Sequence, residues 1–288
     1  MSVVKYGPDF SSDTNRKPSG TIWRDCQWNE IAAGDVDGVV FWDDFQDFGL
    51  PGTQTTEINL SRYKVYNTGA GNIIFDDMPH STTPATGGGI ISMLCDTNGD
   101  QSVIGTQACP FSLSTTLTGK VWVEARIATT SILTNMGQLF FGLAENSVMT
   151  YGAAIPLADA NATAAGPALI GFNRLEDGLA VLNTSYADHA ATWTDIQAAA
   201  NASPLTQIVA NTWIKLGMKF DFTNPTSTNV GTFFVNGQEC TTKLTRTTLS
   251  GLTHVDAKAL GLCLAFFADS AGTADYVYLD WWKAAQTF

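Results

Sequence analysis

Glu124 and Arg126 stand two residues apart in the run VWVEARI, and residues two apart in an extended strand share a face. A carboxylate beside a guanidinium makes an ion pair. Retaining glycoside hydrolysis needs more, two carboxyl groups about 5–5.5 Å apart with one kept protonated as the acid. VWVEARI offers Glu124 alone, so Glu124 and Arg126 are expected to form a surface ion pair and not an acid/base couple. Glu145, Glu176 and Asp177 lie near the ends of other candidate strands without a partner at readable spacing, and only the fold can bring such groups together. No G-x-S-x-G, P-loop or H-E-x-x-H pattern occurs, and the sequence assigns no catalytic residue.

Metal chemistry is equally thin. DTNGD at 96–100 alternates oxygen ligands as a calcium loop does, but Gln101 and Gln107 stand where such a loop needs Gly and Glu, so a polar turn is expected. His80, His189 and His254 are far apart and lack zinc-ligand spacing. Cys26, Cys95, Cys109, Cys240 and Cys263 are odd in number and form no C-x-x-C pair, which reads as reduced, buried thiols. Neither a cofactor nor a metal is expected.

The tryptophans are the other chemical resource. Trp42, Trp122, Trp213, Trp281 and Trp282 could build a stacking platform for a sugar, although large rings more often fill a core or an interface. Adjacent Trp281 and Trp282 must point to opposite faces of a strand, so at most one of them is in the core. Trp23 and Trp28, with Cys26, sit in an N-terminal stretch of no sustained periodicity, which reads either as a loose terminus or as a segment that these side chains pin to the body or to a neighbouring subunit. Trp23, Trp28, Trp122, Glu124 and Arg126 are therefore the candidate interaction residues.

The elements that must position these side chains are strands. Val121, Val123, Ala125 and Ile127 alternate with Trp122, Glu124 and Arg126, the period of a half-buried strand. Similar runs recur from VVFWDDF onward at 63–67, 72–76, 89–95, 120–128, 137–145, 168–173, 178–183, 212–222, 230–236, 259–268 and 275–284. Asn236-Gly237 after TFFV is the clearest hairpin turn. Trp193, Ile196 and Ala200 recur at helical spacing behind Asp188 as a cap, which predicts one short helix within 184–203. Residues 152–167 read as a long loop. The organisation expected is all-β, with an extended arm at 1–38 and a β-sandwich at 39–288.

With 15 Lys+Arg against 27 Asp+Glu the net charge is −12, which repels phosphate backbones and anionic headgroups. No stretch has the roughly 18 apolar residues of a membrane span. Nucleic acid and membrane are thus excluded as expected partners. The start MSVVKYGPDFSSDTNRKPSG has no apolar h-region, and folding in a cytoplasm is expected.

The ordered set FWDDF, VWVEARI, FFGLAEN, WIKLGMKFD, TFFVNGQ and YVYLDWWKAAQ resembles the concanavalin A-like lectin/glucanase (jelly-roll) superfamily over about Val39 to Phe288. The resemblance implies that the first and last strands pair, with Phe41 to Phe45 beside Tyr276 to Trp282. Laminarinase-type hydrolases of that superfamily carry E-x-D-x-(x)-E on one strand, and nothing here matches it. More narrowly, the entry from Asp35 to Phe45, the EARI/FFGLAE hairpin and the LDWWKAAQ end are similar to those of jelly-roll virion proteins of tailed bacteriophages. That likeness implies a non-enzymatic capsid decoration (cement) protein. It would bind the major capsid protein or other virion proteins, form a homo-oligomer such as a trimer, and belong to a virion assembled in the host cytoplasm. A carbohydrate-binding lectin-like module or a tail or fibre component is the alternative, and a glycan-cleaving enzyme stands behind both.

Overall fold

The computed structural model describes residues 16–45, 53–54, 58–59, 62–68, 72–76, 89–95, 100–130, 138–145, 168–174, 182–187, 194–197, 208–252, 255, 258–267 and 275–288. Among them the strands are, in chain order, β1 (Gly38–Asp43), β2 (Thr53–Gln54), β3 (Ile58–Asn59), β4 (Tyr63–Thr68), β5 (Asn72–Asp76), β6 (Ile90–Cys95), β7 (Gln101–Thr106), β8 (Lys120–Thr129) and β9 (Gln138–Glu145). They continue as β10 (Leu169–Arg174), β11 (Asn183–Ala187), β12 (Thr194–Gln197), β13 (Ile214–Asp221), β14 (Asn229–Val235), β15 (Gln238–Glu239), β16 (Leu244–Thr245), β17 (Leu260–Phe267) and β18 (Asp275–Thr287). Three short helices accompany them, α1 (Gly20–Trp23), α2 (Trp28–Ala33) and α3 (Arg246–Gly251).

The strands form two antiparallel sheets. The first runs β15-β14-β13-β8-β18-β6-β5-β2, with β1 on β18 and β16 on β14, and the second runs β12-β11-β10-β9-β17-β7-β4-β3. Alternation decides what lies between them: Val121, Val123, Ala125 and Ile127 of β8 share one core with Leu139, Phe141 and Leu143 of β9 and Leu262, Leu264 and Phe266 of β17. Each such buried Val, Leu, Ile or Phe side chain contributes about 1.5–3 kcal/mol. The Asn236-Gly237 turn joins β14 to β15 as its sequence predicts, with φ of 51° and 76°, both in the left-handed region.

The terminal strands pair, but in a shifted register. Gly38–Asp43 lies against Thr287 to Trp282, with Asp43 opposite Trp282, and not against Tyr276 to Trp282. The cause is occupancy of β18, whose first residues, Asp275 to Leu279, already pair with β6 on that edge. Trp281 and Trp282 diverge as the pleat requires. Trp282 enters the main core, while Trp281 faces outward and stacks on Trp42 with ring centroids 5.5 Å apart.

Three further expectations are corrected. Within 184–203 the described residues are strands β11 and β12, not a helix, because Ser185 pairs with Asp195 and Tyr186 with Thr194, while Ile196 alone turns to the core. Asp188, Trp193 and Ala200 lie outside the described residues, as do residues 152–167, 176 and 177. The helices stand elsewhere: α3 starts at Thr245, whose hydroxyl accepts from the Thr248 N–H, and α1 and α2 fall in the stretch taken as an extended arm. β7 carries no sequence signal, since QSVIGT mixes polar and small residues, yet it is fully buried between β17 and β4.

Candidate functional site

All five candidate interaction residues come together on the outer face of the first sheet. Trp122, Glu124 and Arg126 point outward from β8, and residues 16–33 lie across them as a strap. Ile22 is fully buried against Trp122, Phe234 and Ala285. Gly217 of β13 makes room for it, since a Cβ there would sit 2.3 Å from Ile22 Cδ1. Trp23 and Trp28 meet edge to face at 5.8 Å, and Gly34, at φ 82°, closes α2 with a left-handed C-cap. β8 is thus buried on both faces and not half-buried as its alternation suggests.

Polar groups of the sheet are met one by one from the strap. Glu124 accepts from the Ser19 N–H at 2.9 Å and from Trp23 Nε1 at 2.7 Å. Burial raises its pKa against those donors. Arg126 pairs with Asp280 at 2.6 Å and lies 4.4 Å over the Trp213 ring. Arg16 reaches the same Asp280 at 2.9 Å, and its carbonyl accepts from Trp281 Nε1. The expected surface ion pair of Glu124 with Arg126 is therefore replaced by two buried arrangements with partners far away in sequence. Trp122, Trp213, Trp281 and Trp282 are all buried, which removes them as an open sugar platform.

Asp25, between α1 and α2, fastens the middle of the strap. It accepts from Lys219 at 2.6 Å, Lys120 at 2.9 Å and Trp122 Nε1 at 3.1 Å. Burial works to raise its pKa, but these donors outweigh it and hold the carboxyl well below the usual range. Its contribution to stability is fully present above the ordinary aspartate value and drains away as the pH falls toward the folded-state value. Lys283 sits between the strap and β1, its Nζ 4.2 Å from the Trp23 ring, 4.1 Å from Trp28 and 5.8 Å from Trp42. Burial pushes its pKa down to about 8, although Cys26 and Glu124 pull the other way, and the indole faces offset part of the cost. A lysine of the unfolded chain titrates near 10.4. Taken alone, Lys283 therefore binds fewer protons in the folded chain than in the unfolded one above about pH 8, a contribution to stability that rises with pH. The thiols of Cys26, Cys109, Cys240 and Cys263, all pushed up by burial, act in the opposite sense once unfolded cysteine begins to ionise near about pH 8.5. Lys283→Met, which removes the rising contribution, is expected to make stability fall more steeply with pH than in the parent, measured as melting temperature across about pH 7.5–9.

Beside this part of the strap, a cleft of about 450 Å³ opens between it and the sheet edge. Thr21, Arg24 and Asp25 form the strap wall, and Lys219, Asp221, Asn229, Thr232 and Phe234 line the sheet side. Gly237 belongs to the same rim: its carbonyl accepts from Thr21 Oγ1 at 2.7 Å, and a Cβ there would crowd Ser19 and Thr21 at 3.0–3.1 Å. Asp221 is bound by Lys120 at 3.3 Å. Burial would raise its pKa, but the hydrogen bonds from Thr223 and Lys120 keep it low. Sequence reasoning did not find this cleft, whose walls come from residues about 200 apart in the chain.

The second sheet holds two carboxylates among the described residues of its strands, Glu145 of β9 and Asp195 of β12. Two strands separate β9 from β12, and Asp195 stands level with Gly142 and not with Glu145, so the carboxylates are at least about 14 Å apart, three inter-strand spacings. That is well beyond the separation of a retaining pair. No group of three metal-ligating side chains occurs among the described residues, and of DTNGD only Asp100 is described. The cysteines form no disulfide, with Cys95, Cys240 and Cys263 buried and Cys26 and Cys109 half-buried.

No family model and no curated protein matches the chain. Solved structures do. Endo-1,3-β-glucanase from Streptomyces sioyaensis aligns over 87% of this chain and 96% of its own at 12% identity, with a TM-score of 0.51. Lectin II from Ulex europaeus aligns over 87% and 99% at 8% identity and 0.52. A protein of unknown function from Shewanella oneidensis MR-1 aligns over 88% and 87% at 11% identity and 0.53. With its two antiparallel sheets and paired terminal strands, the chain has the concanavalin A-like jelly-roll fold shared by lectins and glucanases.

Proposed function

We propose that the chain is a non-enzymatic, lectin-like carbohydrate-binding protein whose ligand enters the cleft between strap and sheet. The cleft itself carries this reading. Its size is that of a small-ligand pocket, and it offers hydroxyl, amide and carboxylate groups to sugar hydroxyls around Phe234. The state of the carboxylates supports binding over cleavage. Asp25 and Asp221 are both held ionised, whereas glycoside hydrolysis needs one carboxyl kept protonated. Glu124 has a raised pKa but is sealed beneath the strap. On a glycan array the chain is expected to retain a defined set of glycans, and Thr232→Trp, which fills the cleft from a half-buried position, is expected to lose them. An empty array would remove this reading.

A virion role is the second reading, favoured by one observation. Of the motifs similar to those of phage jelly-roll proteins, the entry from Asp35 to Phe45, EARI and LDWWKAAQ contribute the adjacent strands β1, β8 and β18, which together hold the strap, whereas FFGLAE lies on β9 of the second sheet and forms no hairpin with EARI, as the two strands belong to different sheets. In this reading the chain decorates a tailed-phage capsid assembled in the host cytoplasm, as a homo-oligomer on the major capsid lattice. Cryo-electron microscopy of purified particles without density for the chain would sink it.

A further inference from the structure

Around the cleft the charges sort into pairs, with one left over. Asp25 is held by Lys219 and Lys120, Asp221 by Lys120, and Glu239 by Lys243 at 2.6 Å. Arg24 is the remaining cation. It is exposed on the cleft wall, and its guanidinium makes no ion pair or hydrogen bond with the described residues. The lining itself carries Arg24 and Lys219 against Asp25, Asp221 and Glu239, and Lys120 and Lys243, which pair with these carboxylates from outside the lining, bring the balance to four cations against three carboxylates. The distant acidic residues weigh little here, since their field is screened beyond about 8–10 Å.

Position also favours Arg24 as a recognition group. It is the C-cap of α1, between Ile22, lodged against Gly217, and Asp25, held by two lysines. The backbone that presents the guanidinium is thus fixed on both sides, which lowers the cost of ordering it on a ligand. A guanidinium is a planar fork that meets a carboxylate with two parallel hydrogen bonds.

We infer that the cleft selects an acidic saccharide, a uronic acid-type sugar whose carboxylate meets Arg24 while its ring lies beside Phe234 and its hydroxyls meet Asn229 and Thr232. This inference rests on the glycan-binding reading above and adds the ligand class and the residue that sets it. The ionised Asp221 and Asp25 accept hydrogen bonds from sugar hydroxyls and leave Arg24 to take the anion. Because Arg24 belongs to the strap and its partners to the sheet, selectivity depends on the strap being in place.

Methyl β-glucuronoside, methyl β-glucoside and sodium acetate, titrated separately into the full chain labelled with nitrogen-15, test this by amide shifts at Asn229 and Thr232. The glucuronoside is expected to bind at least about tenfold more tightly than the glucoside, the scale of one charge-assisted contact, and acetate alone to move neither amide. Arg24→Gln, at an exposed position, is expected to keep the parent melting temperature and bring both glycosides to the same weak affinity. Equal affinity in the parent, or a preference that survives Arg24→Gln, would overturn the ligand class while leaving glycan binding standing. An equal response to acetate would reduce the site to a simple anion contact and overturn it too. Silence toward both glycosides overturns the inference, and only an empty glycan array removes the broader reading with it.

Discussion

Alanine at Asp280 is expected to lower the unfolding free energy by about 3–5 kcal/mol, seen as a fall in the urea midpoint. Asp280 is almost fully buried and joins Arg126 at 2.6 Å and Arg16 at 2.9 Å. Arg126 is just as deep, with one face on the Trp213 ring. Without the carboxylate a buried guanidinium loses the acceptor it meets at 2.6 Å, and Arg16 loses one of the contacts that bring the strap onto the sheet. Replacing both partners at once, as Arg126→Met with Asp280→Leu, is expected to cost far less, because the buried charges leave together. A loss below about 1 kcal/mol for Asp280→Ala would place the pair among solvated surface bridges and refute the expectation.

Removing residues 1–34 is expected to have the larger effect. Ile22, Trp23 and Trp28 each bury apolar surface against the sheet, together about 5–9 kcal/mol at 1.5–3 kcal/mol per side chain. The deletion uncovers Trp122, Trp281 and Phe234 and strips Glu124 of its donors from Ser19 and Trp23. It also takes two of the three indoles from around Lys283. The shortened chain should bind a hydrophobic dye, self-associate on size-exclusion chromatography and melt well below the parent. A synthetic peptide of residues 16–33 should reverse these changes. A monomeric product that melts within a few degrees of the parent would show the strap to be an accessory.

Local patterns were legible because they arise within one strand or turn. The alternation of VWVEARI fixes which side chains enter the core, and Asn236-Gly237 marks a turn with two left-handed residues. The opposition of Trp281 and Trp282 follows from the pleat. What could not be read depends on partners far off in the chain. Glu124 and Arg126 share a face as the spacing requires, yet they are buried by residues more than 100 positions earlier and paired more than 150 positions later. Gly217 looks like a weak point in WIKLGMKFD until Ile22 is seen in its place. β7 escaped notice because burial on both faces erases alternation, and the helical spacing around Ile196 lost to a strand ladder with β11.

The position of β18 sets a timetable for folding. Asp275–Thr287 is flanked by β8 on one side and by β6 and β1 on the other, so it lies inside the first sheet and not at its edge. During synthesis at about 5–20 residues per second, β1, β6 and β8 emerge well before the strand that joins them. Until it arrives their backbone groups face open edges, and the strap lacks Asp280, Trp281 and Lys283 to close on. Such long-range pairing makes for slow closure. The nascent chain therefore passes through an interval with unpaired strands and exposed indoles, in which a chaperone that shields strand edges would raise the yield of folded protein.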